Sequence, residues 1–310
     1  MNHPDAGGHR PVMLDEVMQA LAIQTSGCYV DGTFGGGGHT RALLAALGPQ
    51  GRLLAIDKDP AAVARARAEF DTDPRVTVRH GSFAQLGQFV DELGLRGQIA
   101  GVLLDLGMSS IQLDDASRGF SFMRPGPLDM RMDTSRGPTA AQWLQDASQE
   151  HIEQVLREFG EERYARRIAA AVVARRANAP ITTTDDLVAL VRGAIPRRDQ
   201  HKHPATRTFQ ALRIAVNREL DDLHAGLEQA LAVLAPGGRL VVLSFHSLED
   251  RPVKRFMRRH AGRLEGACER PTLRLVRVPK KAGAAELAVN PRSRSAILRA
   301  AERLPEPADA

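Results

Sequence analysis

The chain begins with short apolar segments that alternate with stretches of helix-forming residues. Apolar runs of strand length predict β-strands over 29–34, 52–57, 76–79 and 99–106. The intervening stretches predict helices over 39–47, 60–70 and 83–93, and a short amphipathic helix follows the lead-in at 9–23. Because the predicted strands are almost wholly apolar, the pattern is typical of a parallel sheet that is covered by helices on both faces.

The alternation stops after residue 107. The segment 108–137 has no clear period and contains Gly119, Pro125, Gly126 and Pro127. A segment of this length is usually a lid, a binding loop or disorder, and its apolar side chains argue against disorder. Predicted helices follow over 140–145, 148–159, 161–177 and 185–195. We therefore interpret 109–205 as an inserted loop plus helical subdomain.

The α/β pattern resumes after this insert. Leucines and other apolar residues spaced three or four apart predict one long helix over 205–234, which ends at Gly237-Gly238. A strand over 239–245, a basic helix from about 249 and closing strands over 273–278 and 296–298 follow. The expected core is thus built from 1–108 and 206–310.

The composition excludes some classes of protein but does not indicate a function. Hydrophobic content of 43% and charged content of 25% are ordinary for a globular protein. Cys28 and Cys268 are far apart and show no metal-ligand spacing, and His201-Lys202-His203 has no further His or Cys beside it, so we expect no metal site. With no apolar leader and no run of ~18 apolar residues, we expect a cytoplasmic protein that does not contact membranes.

Positive charge is concentrated in two regions. Net charge is +5 with a pI of about 9.7, and 251–281 holds eleven Lys or Arg residues against two acids. The insert adds Arg163, Arg166, Arg167, Arg175, Arg176, Arg197, Arg198, Lys202 and Arg207. Two basic clusters favour a phosphate backbone as partner, although any single arginine has a solvated surface as its simpler explanation.

The candidate chemistry starts at a glycine-dense turn. Asp31 ends the first predicted strand, and Gly32 and 35–38 follow before the next helix. Strand, glycine turn and helix together bring backbone N–H groups to a ligand. The spacing does not match the dinucleotide pattern G-x-G-x-x-G, and it is nearer to a variant of the acid-x-Gly turn of S-adenosylmethionine enzymes.

Acids at the strand ends favour a cationic ligand. Asp31, Asp57 and Asp105 each close a predicted strand, and ligands of open α/β sheets bind at those ends. Asp57 lies where an acid can bind ribose hydroxyls. S-adenosylmethionine fits better than NAD, because its ammonium and sulfonium are cationic whereas a pyrophosphate would meet carboxylates. Its carboxylate can be met by the N–H groups at Gly37, Gly38 and His39.

Two further contacts stay open at this point. Phe83 follows the third strand, where it either covers the adenine or packs in the core. Gln112 starts the loop after the fourth strand, where it either contacts the cofactor or is solvated. A helix cap is the simpler explanation for any single strand-end aspartate, but three aspartates beside this turn favour a site.

Long motifs identify a family that the chain resembles. They are HRPVMLDEV at 9–17, YVDGTFGGGGHT at 29–40, LLAIDKDP at 53–60, LLDLGMSSIQLDDASRGFSFMRPGPLDMRM at 103–132, HPATRTFQALRIAVN at 203–217, PGGRLVVLSFHSLEDRPVKRFM at 236–257 and NPRSRSAILR at 290–299. In these stretches the sequence resembles the bacterial 16S rRNA cytosine-N4 methyltransferase family (RsmH, formerly MraW). The resemblance covers essentially the whole chain in order.

The resemblance implies a fold, an activity and a set of contacts. The fold is the class I S-adenosylmethionine-dependent methyltransferase fold, Rossmann-like and mostly parallel, with an inserted all-helical subdomain. The activity is methyl transfer from S-adenosylmethionine to the exocyclic N4 of a cytidine, position 1402 in rRNA numbering, in the decoding centre. The family's cofactor contacts fall by motif on Gly37, Gly38, His39, Asp57, Phe83, Asp105 and Gln112. One departure is Gly36, where many relatives carry a basic or polar residue.

Catalytic assignments rest on position alone. A cytosine amino group is a poor nucleophile, so an acceptor for its N–H would help. Asp105 is the best-placed acceptor, with Ser109 and Ser110 as others, although cofactor binding explains Asp105 equally well. His246 ends the fifth strand and either contacts the target or is structural. The 108–132 loop is a candidate lid over an extruded base.

Two other classes remain as alternatives. One is a non-catalytic RNA-binding or ribosome assembly factor, and the other is a dinucleotide-dependent dehydrogenase. The expected partner is 16S rRNA within the small ribosomal subunit, and the protein is expected to be a monomer or a homodimer.

Overall fold

The computed structural model describes residues 11–196, 203–264, 266 and 270–305. These residues form two compact units. The first unit contains the residues up to Gly107 together with those from Leu220 onward, and the second is Met108–Glu219. The chain therefore returns to the first unit at Leu220, which is later than the boundary expected after residue 205.

The first unit is built on a seven-stranded sheet with the order β3-β2-β1-β4-β5-β7-β6. The strands are β1 (Cys28–Asp31), β2 (Arg52–Asp57), β3 (Val76–His80), β4 (Ile99–Asp105), β5 (Leu234–Ser244), β6 (Leu273–Val276) and β7 (Ile297–Arg303). Strands β1 to β5 pair in parallel, and β7 runs antiparallel to both β5 and β6. This sheet confirms the expected class I, Rossmann-like α/β fold.

Helices alternate with the strands in the first unit and make up the second. They are α1 (Leu14–Leu21), α2 (Gly38–Ala46), α3 (Pro60–Phe70), α4 (Leu86–Glu92), α5 (Ser110–Asp114), α6 (Ala140–Asp146), α7 (Gln149–Gly160), α8 (Ala165–Arg176), α9 (Thr184–Ala194), α10 (Thr206–Asn217), α11 (Glu219–Val233), α12 (Ser247–His260) and α13 (Ala284–Val289). Within the described ranges, none of them has the length and apolar character needed to cross a bilayer.

Both faces of the sheet are buried, which explains the continuous apolar runs. Successive residues of a strand point to opposite faces. Accordingly Val30 and Leu54 belong to one apolar cluster, whereas their neighbours Tyr29 and Leu53 belong to another. All four side chains are at most 1% exposed, as expected for a sheet covered on both sides.

The second unit has a core of its own. Helices α6 to α10 enclose Leu144, Ile152, Ile168, Leu187 and Leu212 among other buried residues. The irregular segment that precedes α6 contributes Phe120, Leu128 and Met130 to this core, so its apolar residues are packed.

A buried asparagine holds that segment in place. Asn217 Nδ2 donates to the carbonyl of Met130 at 2.7 Å, and the N–H of Met132 donates to Asn217 Oδ1 at 2.6 Å. The long segment is therefore ordered despite its lack of periodic structure.

The single helix expected over 205–234 is wrong. Helix α10 ends at Asn217, because Arg218 takes a left-handed conformation with φ of 52°, and α11 starts directly after it. Since a one-residue break leaves the apolar spacing unchanged, periodicity could not reveal it. Helix α10 packs against α7 and therefore belongs to the second unit. Gly237-Gly238 also lies inside β5 rather than before it, beside a register shift opposite Ile99 and Gly101.

Candidate active site

Three carboxylates meet at one edge of the sheet because the strands that carry them are parallel neighbours. Asp31, Asp57 and Asp105 are the last residues of β1, β2 and β4. Strand β1 lies between the other two, with Asp31 opposite Ala55 on one side and Leu103 on the other. The sequence-based placement of these acids at a common edge is confirmed.

The glycine turn brings the backbone close to this edge. Gly35 and Gly37 have φ of 54° and 80°, in the region that favours glycine. A Cβ on Gly37 would lie 2.7 Å from the Phe34 ring, and one on Gly38 would lie 2.2 Å from Pro11 Cγ. This turn, which we call the cradle, is therefore packed too tightly against Phe34 and Pro11 to hold a side chain at either position.

Helix α2 starts from this cradle with a glycine cap. Its cap residue, Gly37, has no side chain to bond the first N–H groups, which leaves donors at Gly38 and His39 directed out of the helix end. The N–H of Gly37 itself donates to the carbonyl of Phe34 at 2.7 Å. The turn therefore already uses this donor, and a contact of Gly37 with a ligand carboxylate stays a prediction.

Asp31 holds the turn rather than facing open space. It is 1% exposed, its Oδ2 accepts from Thr40 Oγ1 at 2.7 Å, and its Oδ1 accepts from the N–H of Thr33 at 3.1 Å. Burial raises the pKa of the Asp31 carboxyl. Thr33 also accepts from the N–H of Asp105 at 2.7 Å, so it ties the ends of β1 and β4 together. Sequence reasoning missed Thr33, although it lies within the quoted glycine motif.

Asp57 organises the turns around it. Its Oδ2 accepts from the N–H of Gly35 at 2.6 Å and its Oδ1 accepts from the N–H of Asp59 at 2.8 Å. Burial raises the pKa of Asp57 to about 6. Each carboxylate oxygen has a second lone pair, so Asp57 retains acceptor capacity for hydroxyl groups.

Asp105 is the least satisfied of the three acids. Its Oδ1 is buried and has no hydrogen-bond partner among the described residues, and its Oδ2 lies 3.5 Å from His39 Nδ1. Burial, with smaller contributions from the charges of Asp31 and Glu249, raises the pKa of Asp105 to about 8. A buried, unpaired carboxyl oxygen at a strand end is a costly feature that a bound donor or cation would relieve.

His39 is buried beside this acid. Its Nε2 lies 3.1 Å from the carbonyl oxygen of Val12, and burial lowers the pKa of the ring. The imidazole thus connects the lead-in segment to the site, while the N–H of the same residue belongs to the start of α2.

The other two expected cofactor contacts belong to different units. In the first unit, Phe83 opens a 3₁₀ turn, and its part-buried ring packs against the core. Its role over an adenine stays a prediction. In the second unit, Gln112 is buried in α5, so the solvated-loop interpretation is wrong. Gln112 Oε1 accepts from the N–H of Ser109, and Ser109 Oγ accepts from the N–H of Gln112, so Ser109 caps its helix.

His246 is paired with a carboxylate that the sequence reading did not single out. Its Nε2 lies 2.9 Å from Oε1 of Glu249, which is 3% exposed and also accepts from the N–H of Phe245 at 2.8 Å. The signal was available, because an acid three residues after a helix-starting residue commonly folds back on the helix start. A His–carboxylate pair fixes the orientation of the imidazole, which suits a histidine that contacts a substrate.

Basic side chains are exposed in both units. In the first, α12 carries Arg251, Lys254, Arg255, Arg258 and Arg259 on its exposed side, while Val253 and Met257 are buried. In the second, Arg163 and Arg167 lie 5.5 and 5.9 Å from the ring of Tyr164. Arg197, Arg198, His201, Lys202 and Cys268 lie outside the described residues. Among the residues described, no cluster of His, Cys, Asp or Glu is arranged to hold a metal ion.

Comparison with known proteins gives similarity over most of the chain. The family model of the MraW methylases matches residues 6–304. Curated proteins named ribosomal RNA small subunit methyltransferase H are similar to the chain. The one from Methylococcus capsulatus is 57% identical over 300 residues, which cover 94% of this chain and 99% of the relative. Those from Chromohalobacter salexigens and Cupriavidus metallidurans are each 54% identical, cover 96% of this chain, and are covered over 92% and 95% of their own lengths.

Proposed function

Since this chain belongs to the MraW methylase family, we propose that it transfers a methyl group from S-adenosylmethionine to the exocyclic N4 of a cytidine in 16S rRNA, at position 1402. The relatives' names specify the RNA of the small ribosomal subunit. The single observation that carries the proposal for the donor is the carboxylate-lined edge beside a helix start that no side chain caps.

The residues at this edge fit S-adenosylmethionine in charge and in hydrogen-bonding groups. The cradle at Gly37 and Gly38 has no room for a Cβ, and the start of α2 offers N–H donors to a carboxylate. Asp57 has lone pairs for the ribose hydroxyls, and the buried Asp105 Oδ1 lacks a partner, which suits a ligand that carries positive charge. Phe83 and Gln112 stay proposed contacts to the adenine and to the same ligand.

A dinucleotide fits this edge poorly. Its pyrophosphate would lie among Asp31, Asp57 and Asp105, where burial, together with the charges of Asp31 and Glu249, already raises the pKa of Asp105. Membership in a methylase family also argues against the dehydrogenase alternative.

Methyl transfer needs alignment and a proton acceptor. When bound, S-adenosylmethionine supplies a methyl group that its sulfonium has already activated. Forming the bond from N4 to the methyl carbon would break that carbon's bond to the sulfonium sulfur, and N4 would lose one proton, which the Asp105 carboxylate is proposed to accept. Asp105 is the proposed acceptor of the N4 hydrogen bond. Ser109 already caps α5, which makes it the weaker candidate, and His246, oriented by Glu249, is proposed to contact the target base or its phosphate.

The RNA is proposed to bind along the exposed basic side chains. Those of α12 start directly after His246 at the carboxyl end of β5, so a strand that follows them approaches the proposed site. Because 16S rRNA is made and assembled in the bacterial cytoplasm, the proposal also places the protein there. The small subunit, rather than free rRNA, is the proposed substrate.

Two linked experiments test this proposal. First, calorimetric titration of the purified protein with S-adenosylhomocysteine and with NAD should give binding of the former alone. Second, labelled S-adenosylmethionine should transfer its methyl group to small subunits from cells that lack the enzyme. Binding without transfer to subunits or to free 16S rRNA would favour a non-catalytic assembly role instead. Binding of NAD alone would overturn the proposed cofactor.

A further inference from the structure

One carboxylate holds together two loops at the proposed nucleoside side of the site. Asp222 lies in the first turns of α11, far in sequence from the loops after β2 and β3. Its Oδ2 accepts from Lys58 Nζ at 2.7 Å and from Ser82 Oγ at 2.7 Å. Lys58 follows Asp57 directly, and Ser82 precedes Phe83.

The two loops also contact each other beside Asp222. His80 Nε2 lies 3.1 Å from the carbonyl oxygen of Lys58. Ser82 caps the 3₁₀ turn that starts with Phe83, since its Oγ accepts from the N–H of Ala84 at 3.1 Å and its own N–H donates to Gln85 Oε1. The Ser82 hydroxyl that donates to Asp222 is therefore the same hydroxyl that caps the turn of Phe83.

A second residue of α11 fixes the ring itself. Gly226 lies four residues after Asp222, hence on the same face of the helix. A Cβ on Gly226 would lie 2.3 Å from Phe83 Cδ2, so only glycine lets the ring pack this close to the helix. Asp222 and Gly226 thus position the backbone and the ring of the same turn.

The Lys58–Asp222 ion pair is partly shielded from solvent, so its two charges attract each other more strongly than those of a fully exposed pair. The side chains of Lys58 and Asp222 are 27% and 20% exposed. A carboxylate oxygen that accepts from an ammonium and a hydroxyl makes two charge-assisted hydrogen bonds, which are stronger than neutral ones. Removing the carboxylate would remove one contact from each loop at once, because both bonds end on one oxygen.

We propose that Asp222 is a positioning residue for the nucleoside half of the cofactor, holding the loops of Asp57 and Phe83 at the spacing that ribose and adenine require. This inference rests on the proposed function. Asp222 does not touch the ligand in this account, and it acts through Lys58, Ser82 and the Phe83 turn.

The test is S-adenosylhomocysteine affinity, measured by titration calorimetry. Asp222→Ala should weaken binding about tenfold or more, because both charge-assisted bonds are lost. Asp222→Asn should fall between Ala and wild type, since its amide oxygen still accepts from Ser82 but no longer carries the charge that pairs with Lys58. Asp221→Asn removes an adjacent exposed acid and should stay within about twofold of wild type.

Two further readouts separate positioning from general stability. Amide hydrogen exchange should rise over 58–61 and 82–86 in Asp222→Ala but not in Asp221→Asn. In methyl transfer, KM for S-adenosylmethionine should rise while kcat at saturating cofactor stays within about twofold of wild type, because Asp222 does not touch the reacting atoms.

The outcomes are distinguishable. Wild-type affinity in a folded Asp222→Ala protein overturns the inference and leaves the proposed function intact. If Asp222→Ala does not fold, wild-type affinity of Asp222→Asn overturns it in the same way. Failure of the wild-type protein to bind S-adenosylhomocysteine would instead overturn the proposed function itself.

Discussion

His39 Nδ1 lies 3.5 Å from Asp105 Oδ2, while Nε2 of the same ring lies 3.1 Å from the carbonyl oxygen of Val12. A neutral imidazole that donates from Nε2 presents a lone pair at Nδ1. Burial lowers the pKa of His39 and raises that of Asp105, so near neutral pH both groups favour their neutral forms. The protonated carboxyl can then donate towards Nδ1, and a cation that binds here would favour loss of that proton.

The first prediction concerns the pH dependence of the free energy of unfolding, measured on the protein without ligand. The pKa of Asp105 is raised to about 8, so between pH 7 and 8.5 the folded protein binds more protons than the unfolded chain. The free energy of unfolding should therefore fall as pH rises through this window. Urea unfolding of wild type and Asp105→Asn at several pH values measures the difference in slope.

The range from pH 7 to 8.5 lies above the pKa values of Asp57 and His39, two other groups of this site. Asp57, with a pKa of about 6, is mostly ionised above pH 7. The pKa of His39 is lowered in the folded protein, and its imidazole in the unfolded chain, with an ordinary pKa of about 6.5, is largely neutral above pH 7.5. Asp105→Asn should remove the decline. Equal slopes in the two proteins would show that Asp105 is already ionised at pH 7.

A second prediction links cofactor binding to proton release. Positive charge on the bound cofactor favours the ionised form of Asp105, so binding should release a proton below pH 8. The affinity for S-adenosylmethionine should then increase from pH 6.5 to about 8 and level off above it. Calorimetry in buffers with different ionisation enthalpies measures the proton count. Asp105→Asn is the control and should lose the pH dependence that this proton causes.

A third prediction concerns the cradle. Gly38→Ala places a Cβ 2.2 Å from Pro11 Cγ, so the start of α2 must shift. Overpacking of this kind costs about 1–3 kcal/mol, and part of that should appear as weaker S-adenosylhomocysteine binding. Gly36→Ala is the matched control, because the φ of Gly36 lies outside the left-handed region. Equal affinities of the two variants would exclude a role for the Gly38 backbone.

A fourth prediction tests backbone strain at the end of α1. Ala22 caps this helix in the left-handed region with φ of 50°, and its side chain is exposed. Ala22→Gly should raise the free energy of unfolding by about 0.5–1 kcal/mol, because glycine adopts this conformation without a Cβ clash. The same change at the exposed Ala45 inside α2 should lower it by a similar amount. Destabilisation by both variants would contradict this assignment.

The sequence predicted the elements whose signals are local. Strand β2 and helix α3 have the predicted bounds, since an apolar run defines β2 and the Asp59-Pro60 start defines α3. The carboxylate edge was also predictable, because parallel strands bring their ends together. The break at Arg218 was not, since a single left-handed residue leaves the apolar spacing intact.

Contacts between distant segments carry no local signal. Asp222 and Lys58 are 164 residues apart, and nothing in either neighbourhood indicates their pairing. The use of the Gly37 N–H within its own turn depends on φ values that composition does not specify. The sequence therefore predicted where the three aspartates lie, whereas only the structure shows which atoms bond to one another.

The most direct test is the mass analysis of nucleosides from 16S rRNA after reaction. Small subunits from cells that lack the enzyme are incubated with S-adenosylmethionine and wild-type, Asp57→Ala or Asp105→Ala protein. We predict N4-methylated cytidine at position 1402 with wild type and its loss with both variants. Asp57 is proposed to bind the ribose of the donor, and Asp105 is proposed to accept the hydrogen bond from N4. No N4-methylated cytidine on subunits or on free 16S rRNA, from protein that binds S-adenosylhomocysteine, would contradict the account.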